Sequence, residues 1–448
     1  MPFVFIMNKT VALHTLGCKL NFSETSTIGK QFLDHNFKIV DFQNRADVYL
    51  INTCTVTENA DRECRQIVRR ALRNNPDAHI IVTGCYAQLN PQEISGIDGV
   101  DTILGNNEKF KLFSLINNFK KRELSCTFVS PTNQLNEFGA AYSTDADSRT
   151  RAYLKIQDGC DYKCTFCTIP LARGKSRSME PNLVLEEFKS LIDSGYKEII
   201  LTGVNVGDYG KYDGNDFFSL LKQMINIDGN FRIRISSIEP NLLTDEIINL
   251  TAENDKMCKH FHIPLQSGSN EVLKLMQRRY TTEFYSSLID KLKYRIPDIG
   301  IGVDVIVGTP GETEEHFNKT HKFLTELPVS YLHVFTYSER PNTKAVDMAG
   351  KVDIAERKRR NKVLRILSER KKQIFYKEMI GKYLEVLFES ESTDNTIKGF
   401  SSNYVRVENE YKKDLANTFC KIKVKETEYE VCLGEIISNK KAVDLTLV

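Results

Sequence analysis

The 448-residue chain carries 61 Lys and Arg against 59 Asp and Glu, a formal charge of +2 at pH 7, with 41% hydrophobic and 27% charged residues. That composition excludes disorder, collagen and a long coiled coil, and the near-neutral charge means that any polyanion-binding surface is a local patch. At about 150 residues per domain the length predicts three domains, and no apolar run approaches the ~18–20 residues of a membrane span. The opening run at 2–6 is apolar but short, without a basic flank or a small-residue cleavage site, so no signal peptide is read there. Eleven cysteines, an odd number without an export signal, point to cytoplasmic thiols for metal or redox chemistry rather than to disulfides.

Short apolar runs at 11–16, 48–51, 79–83 and 102–104 alternate with helical patterns such as 24–34 and 59–73, which predicts an open parallel α/β domain. A polar, weakly periodic stretch at 121–150 reads as a linker with a divergent hairpin at most. Six strand-like runs follow at 153–157, 198–202, 232–236, 260–264, 302–307 and 331–337, the first five each followed by a helical segment. Two strands short of eight, this is a partial (β/α)6 barrel, with its chemistry expected at the C-terminal ends of the strands. Residues 353–380 form one long basic helix, and the tail after Gly381 alternates at 383–388, 404–407, 421–425 and 429–433 as a small β-barrel does. The predicted organisation is thus an α/β chain with domains at 9–120, 151–375 and 376–448 and the linker at 121–150.

The strongest chemical signal is Cys160, Cys164 and Cys167, spaced CxxxCxxC directly after the first barrel strand. Three thiolates on one tight loop can hold three corners of a cubane iron–sulfur cluster and leave one iron open. A zinc site would need a fourth ligand, and no local His or Cys offers one. A second set is dispersed: Cys18, Cys54 and Cys85 each lie just past the C-terminal end of a predicted parallel strand. Such ends converge at one edge of an open sheet, where ligands bind. A second three-thiolate site and buried structural cysteines are the two readings of that set.

The CxxxCxxC loop on a six-stranded barrel resembles the radical S-adenosylmethionine enzymes. The two triplets together resemble the methylthiotransferase family over nearly the whole chain, with IPLARG at 169–174, LTGVN at 201–205, RISSIEP at 234–240, HIPLQSGS at 262–269 and DVIVGTPGE at 304–312. GCKLN at 17–21, NTCTVT at 52–57 and GCYAQ at 84–88 resemble the branch that modifies threonylcarbamoyladenosine in tRNA, the MtaB type. The isopentenyladenosine branch reads closer to GCQMN, NTCSIR and GCMAxR, and the ribosomal-protein branch to LGCPKN. The tail departs from a tidy TRAM pattern, although GFSSNYV at 399–405 keeps its central look.

That resemblance implies an N-terminal cluster domain, a radical barrel and a TRAM-like RNA-binding domain. It implies two [4Fe–4S] clusters, an auxiliary one on Cys18, Cys54 and Cys85 and a radical one on Cys160, Cys164 and Cys167. S-adenosylmethionine would serve as both methyl donor and radical source, placing a methylthio group on C2 of the modified adenosine at tRNA position 37. Implied partners are the tRNA anticodon stem-loop and an electron donor such as flavodoxin or ferredoxin, in the cytoplasm and without a membrane. Both open irons must then face one cavity, so the edge carrying Cys18, Cys54 and Cys85 should pack over the barrel mouth. Phe166 would shield the cluster, while Gly203, Ser236, Glu239 and Gln266 would contact the cofactor, each with barrel-rim packing as the plain alternative. Two rival functions stay open: the same reaction on isopentenyladenosine, and a non-catalytic metal-stabilised RNA-binding protein.

Arg62, Arg65, Arg69 and Arg73 recur at steps of three and four and form one helical stripe beyond Cys54, a candidate phosphate contact or a solvated face. His260 and His262 share one face of a strand, and hydrogen-bonded core histidines are the preferred reading over a metal pair. Residues 351–372 hold ten Lys and Arg against three Asp and Glu, a candidate RNA-facing bridge. The turn at 308–312 is a weak candidate anion cradle.

Overall fold

The computed structural model describes residues 9–55, 58–142, 150–393 and 395–440. The run at 2–6, Val56 and Thr57 of the second cysteine motif, and the polar stretch 143–148 lie outside the described residues.

The first sheet consists of β1 (Thr10–Thr15), β2 (Lys38–Val40), β3 (Val48–Thr53), β4 (His79–Gly84), β5 (Thr102–Leu104) and β6 (Cys126–Phe128). They are parallel, in the order β2-β1-β3-β4-β5-β6. Strands β3 and β4 are buried at every position, as central parallel strands covered on both faces must be. Helix α1 (Lys19–Asp34) seats Ile28 and Phe32 on one face, and α2 (Glu58–Asn74) seats Ile67, Val68 and Ala71 on the other. Two strands differ from the expectation. β2 and β6 are three-residue edge pieces, too short to show a period of two, and β6 places part of the expected linker 121–150 inside the sheet.

The barrel begins with β7 (Arg151–Lys155). A small hairpin of β8 (Gln157–Asp158) and β9 (Arg177–Ser178) follows, then β10 (Glu198–Thr202), β11 (Arg232–Ile235), β12 (His260–His262), β13 (Gly300–Val307) and β14 (Tyr331–Thr336). The runs β11-β10-β7 and β12-β13-β14 join through bridges at Ile233–Met257 and Ser237–His262, giving six parallel strands open between β7 and β14. Helix α1 leans on the β7 edge, with the Phe22 ring edge-on to Tyr153.

The long helix Ile354–Lys377 runs along β14, where Ser368 Oγ both accepts from Leu332 N and donates to Leu332 O. Part of the basic excess at 351–372 is neutralised within the fold, while Lys351, Lys358, Lys362, Arg365 and Arg370 stay exposed. Arg357 pairs with Glu339, Arg360 with Glu312, and Arg359 with Glu314 and Glu356, while Lys371 Nζ donates to the Leu327 carbonyl. Burial pushes the Lys371 amine down to about 8.

The tail closes as a five-stranded barrel, β15-β16-β17-β19-β18. Its strands are β15 (Tyr383–Thr393), β16 (Thr396–Ser401), β17 (Arg406–Glu410), β18 (Phe419–Glu428) and β19 (Val431–Lys440). The turn after β16 docks on the N-terminal ends of the large barrel's strands. Arg232 and Arg234 share the fully buried Glu198, and their guanidinium groups donate to the carbonyls of Phe400, Ser401 and Ser402 at 2.8–3.1 Å. Segment 399–405 is therefore occupied by the barrel floor. Among the described residues no helix is long and apolar enough to cross a membrane.

Candidate active site

The β8–β9 hairpin closes the base of the loop that carries Cys160, Cys164 and Cys167. Inside it Cys160 N donates to Gly174 O at 3.0 Å and Cys167 N to Cys164 O at 3.2 Å, so all three sulfurs belong to one compact turn. Tyr162 N and Ile169 N donate to the sulfurs of Cys160 and Cys167 at 3.4 and 3.5 Å, and Arg278 Nη1 donates to Cys164 Sγ at 3.0 Å. Burial first, and then the neighbouring thiols, push Cys160 and Cys167 up to about 12. Three thiolates can coexist there only around a cation. With three sulfur donors and hydrogen bonds already on each sulfur, the loop fits an iron–sulfur cluster.

The expected cofactor residues divide by environment. Phe166 and Gln266 line one cavity of about 270 Å³ with Cys167, Asp304, Ile306 and Phe335. Gln266 holds φ at +71°, a costly conformation for a side-chain-bearing residue, and its buried Oε1 lacks a hydrogen-bond partner. Ser236 Oγ is likewise buried without a partner. Two orphaned oxygens, that of Gln266 beside Cys167 and that of Ser236 just after the end of β11, fit a polar ligand such as the methionyl and ribose groups of S-adenosylmethionine. Glu239 is ion-paired to Arg278, one guanidinium away from Cys164. Gly203 is different: an added Cβ would lie 2.9–3.1 Å from Gln157, so packing against that side chain already accounts for the glycine.

Cys18, Cys54 and Cys85 follow β1, β3 and β4, three adjacent strands of the first sheet. Gly17, at φ +96°, brings the chain so close to Cys54 that a Cβ would sit 2.5 Å from Cys54 Cβ. Gly84, at φ +97°, presses on the Thr53 backbone in the same way. Asn21 Nδ2 ties these ends together by donating to Leu16 O at 2.8 Å and Thr53 O at 3.0 Å. Gly84→Val is expected to lower iron binding by the N-terminal domain severalfold in anaerobic reconstitution, because it must displace the β3 end that carries Cys54. Unchanged iron would show that the turn is not what aligns this set.

The segments that follow Cys85 and Cys167 meet at a buried charge network. The helix Cys85–Leu89 packs on the helix Ile169–Arg173 that follows Cys167, and Asn106 Nδ2 donates to Ala172 O at 2.7 Å. Arg173, 1% exposed, reaches Glu24 and Asp158 at 2.9 and 3.0 Å and Asn21 Oδ1 at 2.7 Å. Lys109 and Lys155 also pair with Glu24, and Lys155 and Arg177 with Asp158. Four cations thus face two carboxylates in this network. Burial raises the Cys85 thiol, and Arg173 and Lys109 pull it back. The surplus positive charge suits an anionic thiolate cluster. On the far side, Arg340 Nη2 donates to Thr55 Oγ1 at 2.7 Å and clamps the Cys54 loop to the end of β14.

Other expectations resolve plainly. Burial and Arg234 hold the His260 imidazole well below its ordinary value, and its Nε2 meets Tyr331 Oη at 2.9 Å, a neutral core histidine. The turn at 308–312 is no anion cradle, because Glu312 itself accepts from Gly308 N at 2.6 Å and is paired with Arg360. Arg62, Arg65, Arg69 and Arg73 all lie exposed, with Arg65 near Tyr86 Oη and Glu93. Arg173, Arg278 and Arg340 were not among the expected site residues. Arg173 lies inside the IPLARG run, but the other two carry no local signal.

Comparison with known proteins agrees with this geometry. The family model described as the Radical SAM superfamily matches residues 154–324, and that of an uncharacterised protein family, UPF0004, matches residues 10–105. The chain is 41% identical to a threonylcarbamoyladenosine tRNA methylthiotransferase MtaB of Bacillus subtilis, over 96% of each chain. It is 38% identical to the Aquifex aeolicus protein of that name, over 90% of this chain and 98% of the relative. A tRNA-2-methylthio-N(6)-dimethylallyladenosine synthase of Endomicrobium trichonymphae is 32% identical over 95% and 99%. In fold it resembles the radical S-adenosylmethionine methyltransferase TsrM of Kitasatospora setae, with TM-score 0.54, 16% identity and coverage of 76% and 77%.

Proposed function

Because the chain belongs to the MtaB-type methylthiotransferase family, we propose that it inserts a methylthio group at C2 of N6-threonylcarbamoyladenosine in the anticodon loop of tRNA. When bound, two iron–sulfur clusters and S-adenosylmethionine supply the deoxyadenosyl radical, the sulfur and the methyl group. Cys160, Cys164 and Cys167 would hold one cluster and Cys18, Cys54 and Cys85 the other. Arg278 orients Glu239 and hydrogen-bonds the Cys164 sulfur. Gln266 and Ser236 offer their free oxygens to the cofactor, Phe166 covers the loop, and the Arg173 network provides the counter-charge between the two sets. The observation that supports this reading most directly is that two separate cysteine triplets stand at the C-terminal ends of two parallel sheets, and that the helix beginning at Cys85 packs on the helix that follows Cys167 and carries buried Arg173.

Work in the cytoplasm with a flavodoxin- or ferredoxin-like electron donor belongs to the same proposal, as do the functional units at 9–120, 151–375 and 376–448. The test is a mass-spectrometric nucleoside digest after anaerobic reaction with reductant and S-adenosylmethionine. tRNA carrying threonylcarbamoyladenosine should gain a methylthio mass, and tRNA carrying isopentenyladenosine should not. Gain only on the second would overturn the substrate. Loss of both, with zinc in place of iron and sulfide, would favour a non-catalytic RNA-binding protein.

The arginine stripe of α2 supplies the phosphate contact in this reading. Replacing Arg62, Arg65, Arg69 and Arg73 with alanine is expected to weaken tRNA binding and to flatten the log–log salt dependence by roughly 3 units. An unchanged slope would make the stripe an ordinary solvated face.

A further inference from the structure

The inner faces of the last three barrel strands carry a polar cluster that the cysteine sets do not use. His262 Nε2 and His333 Nδ1 lie 2.9 and 3.3 Å from the same Asp304 Oδ1 and 3.2 Å from each other. Ser237 Oγ stands 2.7 Å from His262 Nδ1 and fixes that ring from behind. Register places Asp304 on β13 opposite His333 on β14. Burial alone would raise the Asp304 carboxyl, yet the charges and hydrogen bonds of the two imidazoles hold it below the usual carboxylate range. The carboxylate is thus present to orient both rings.

Position gives the cluster its meaning. Asp304 borders the 270 Å³ cavity that also holds Phe166, Cys167 and Gln266. His333, with its side chain 52% exposed, borders a separate cleft of about 990 Å³ at the lateral opening of the barrel. Arg365, Lys372, Lys398 and Arg406 outnumber Glu369 and Glu430 in the lining of that cleft, which also holds the rings of Phe335, Phe400 and Tyr404. The histidine therefore stands where a nucleotide entering from the basic cleft would meet the cysteine loop.

The two substrate classes among the relatives differ in what their adenine carries on N6. One substituent is hydrocarbon, and the other bears a urea, a hydroxyl and a carboxylate. C2 and N6 flank N1 on one edge of adenine. A base offering C2 toward Cys167 and Gln266 therefore lays its N6 substituent along the adjoining wall.

We propose that His333, held by Asp304 and His262, binds the carboxylate of the threonylcarbamoyl group and so selects that substrate, an inference that rests on the substrate reading above. Between Asp304 on Nδ1 and the substrate carboxylate on Nε2, the ring donates from both nitrogens. A site built this way rejects an analogue that lacks the partner, because its polar groups are left unpaired.

The experiment compares anticodon stem-loops bearing threonylcarbamoyladenosine as the free acid and as its neutral methyl ester. The wild-type enzyme should prefer the acid by about 100-fold in kcat/KM. His333→Phe should lose a similar factor on the acid, chiefly through KM, and should no longer distinguish acid from ester. His333→Gln provides the same ratio should the phenylalanine variant fail to fold. Because the ratio is taken within one protein, a merely structural role would lower both substrates and leave it unchanged. Full discrimination by the variants, or none by wild type, would overturn the proposal. So would one equivalent of zinc or manganese bound by wild type and lost in both variants, since three ligand atoms within 4.8 Å of one another also match a small cation site. Wild-type action on isopentenyladenosine alone would instead defeat the substrate reading.

Discussion

Alanine at Cys160, Cys164 or Cys167 is expected to abolish 5′-deoxyadenosine formation, whereas alanine at Cys18, Cys54 or Cys85 leaves it and removes only the methylthiolated product. The separation follows from where the sulfurs stand. The first three belong to one loop whose hydrogen bonds come from Tyr162, Ile169 and Arg278, all within the barrel. The other three hang from β1, β3 and β4 and are aligned by Gly17, Gly84 and Asn21, all within the N-terminal α/β unit. Loss of one thiolate should therefore empty its own set without moving the other. Anaerobic reaction with product analysis for both deoxyadenosine and the modified nucleoside reads the two outcomes separately. Full methylthiolation by any variant of the second group would refute a two-cluster mechanism.

Glu24→Gln should be the most destabilising single substitution at the junction of the first sheet and the barrel. Glu24 is fully buried and accepts from Lys109, Lys155 and Arg173 at 2.5–3.0 Å, three cations that have no water to turn to. Removing one partner from a buried ion pair typically costs ~3–5 kcal/mol, because the other charge stays behind uncompensated. For units of this size that corresponds to a melting shift on the order of 10 °C. The pH dependence has a definite sign. Burial alone would raise the Glu24 carboxyl, but Arg173, Lys109 and Lys155 hold it below its ordinary 4.5. Its stabilising contribution is thus fully present above about pH 4.5 and is lost as pH falls through the lower folded value. Thermal unfolding of wild type and variant across that range should show the gap narrowing with acid. A gap independent of pH would mean that packing, not charge, holds the junction.

Much of the architecture was legible along the chain. The six barrel strands and the helices between them lie within a few residues of their expected positions, because apolar runs alternate with helical patterns and are closed by Gly, Pro or a polar cap. The CxxxCxxC loop is a local signal complete within eight residues. Edge strands β2 and β6, three residues each and partly exposed, were not read, unlike the equally short but buried β5, and β16 registered only as a motif. The basic run at 351–372 was legible only in part. Charge counted along a helix does not reveal that Glu312, Glu314 and Glu339 wait on neighbouring elements to neutralise Arg360, Arg359 and Arg357, while Lys358, Lys362, Arg365 and Arg370 stay exposed. At Gly203, likewise, no pattern could say that Gln157 already fills the space where a Cβ would point.

By itself the sequence determined the chemistry available to this protein: two sets of three thiols, the strand ends that present them, and a barrel with its reactive loop at the C-terminal face. Ligand spacing, strand period and glycine turns are local properties, written within a few residues of one another. Only the tertiary structure decided that Arg173 of the barrel and Glu24 of the first domain, 149 residues apart, pair where the two units meet, and that His262, Asp304 and His333 converge inside the barrel. Which charges neutralise one another, and which side chains share a cavity, depends on contacts between elements far apart in the chain. Such contacts leave no periodic trace in the sequence and are fixed only when the sheets close.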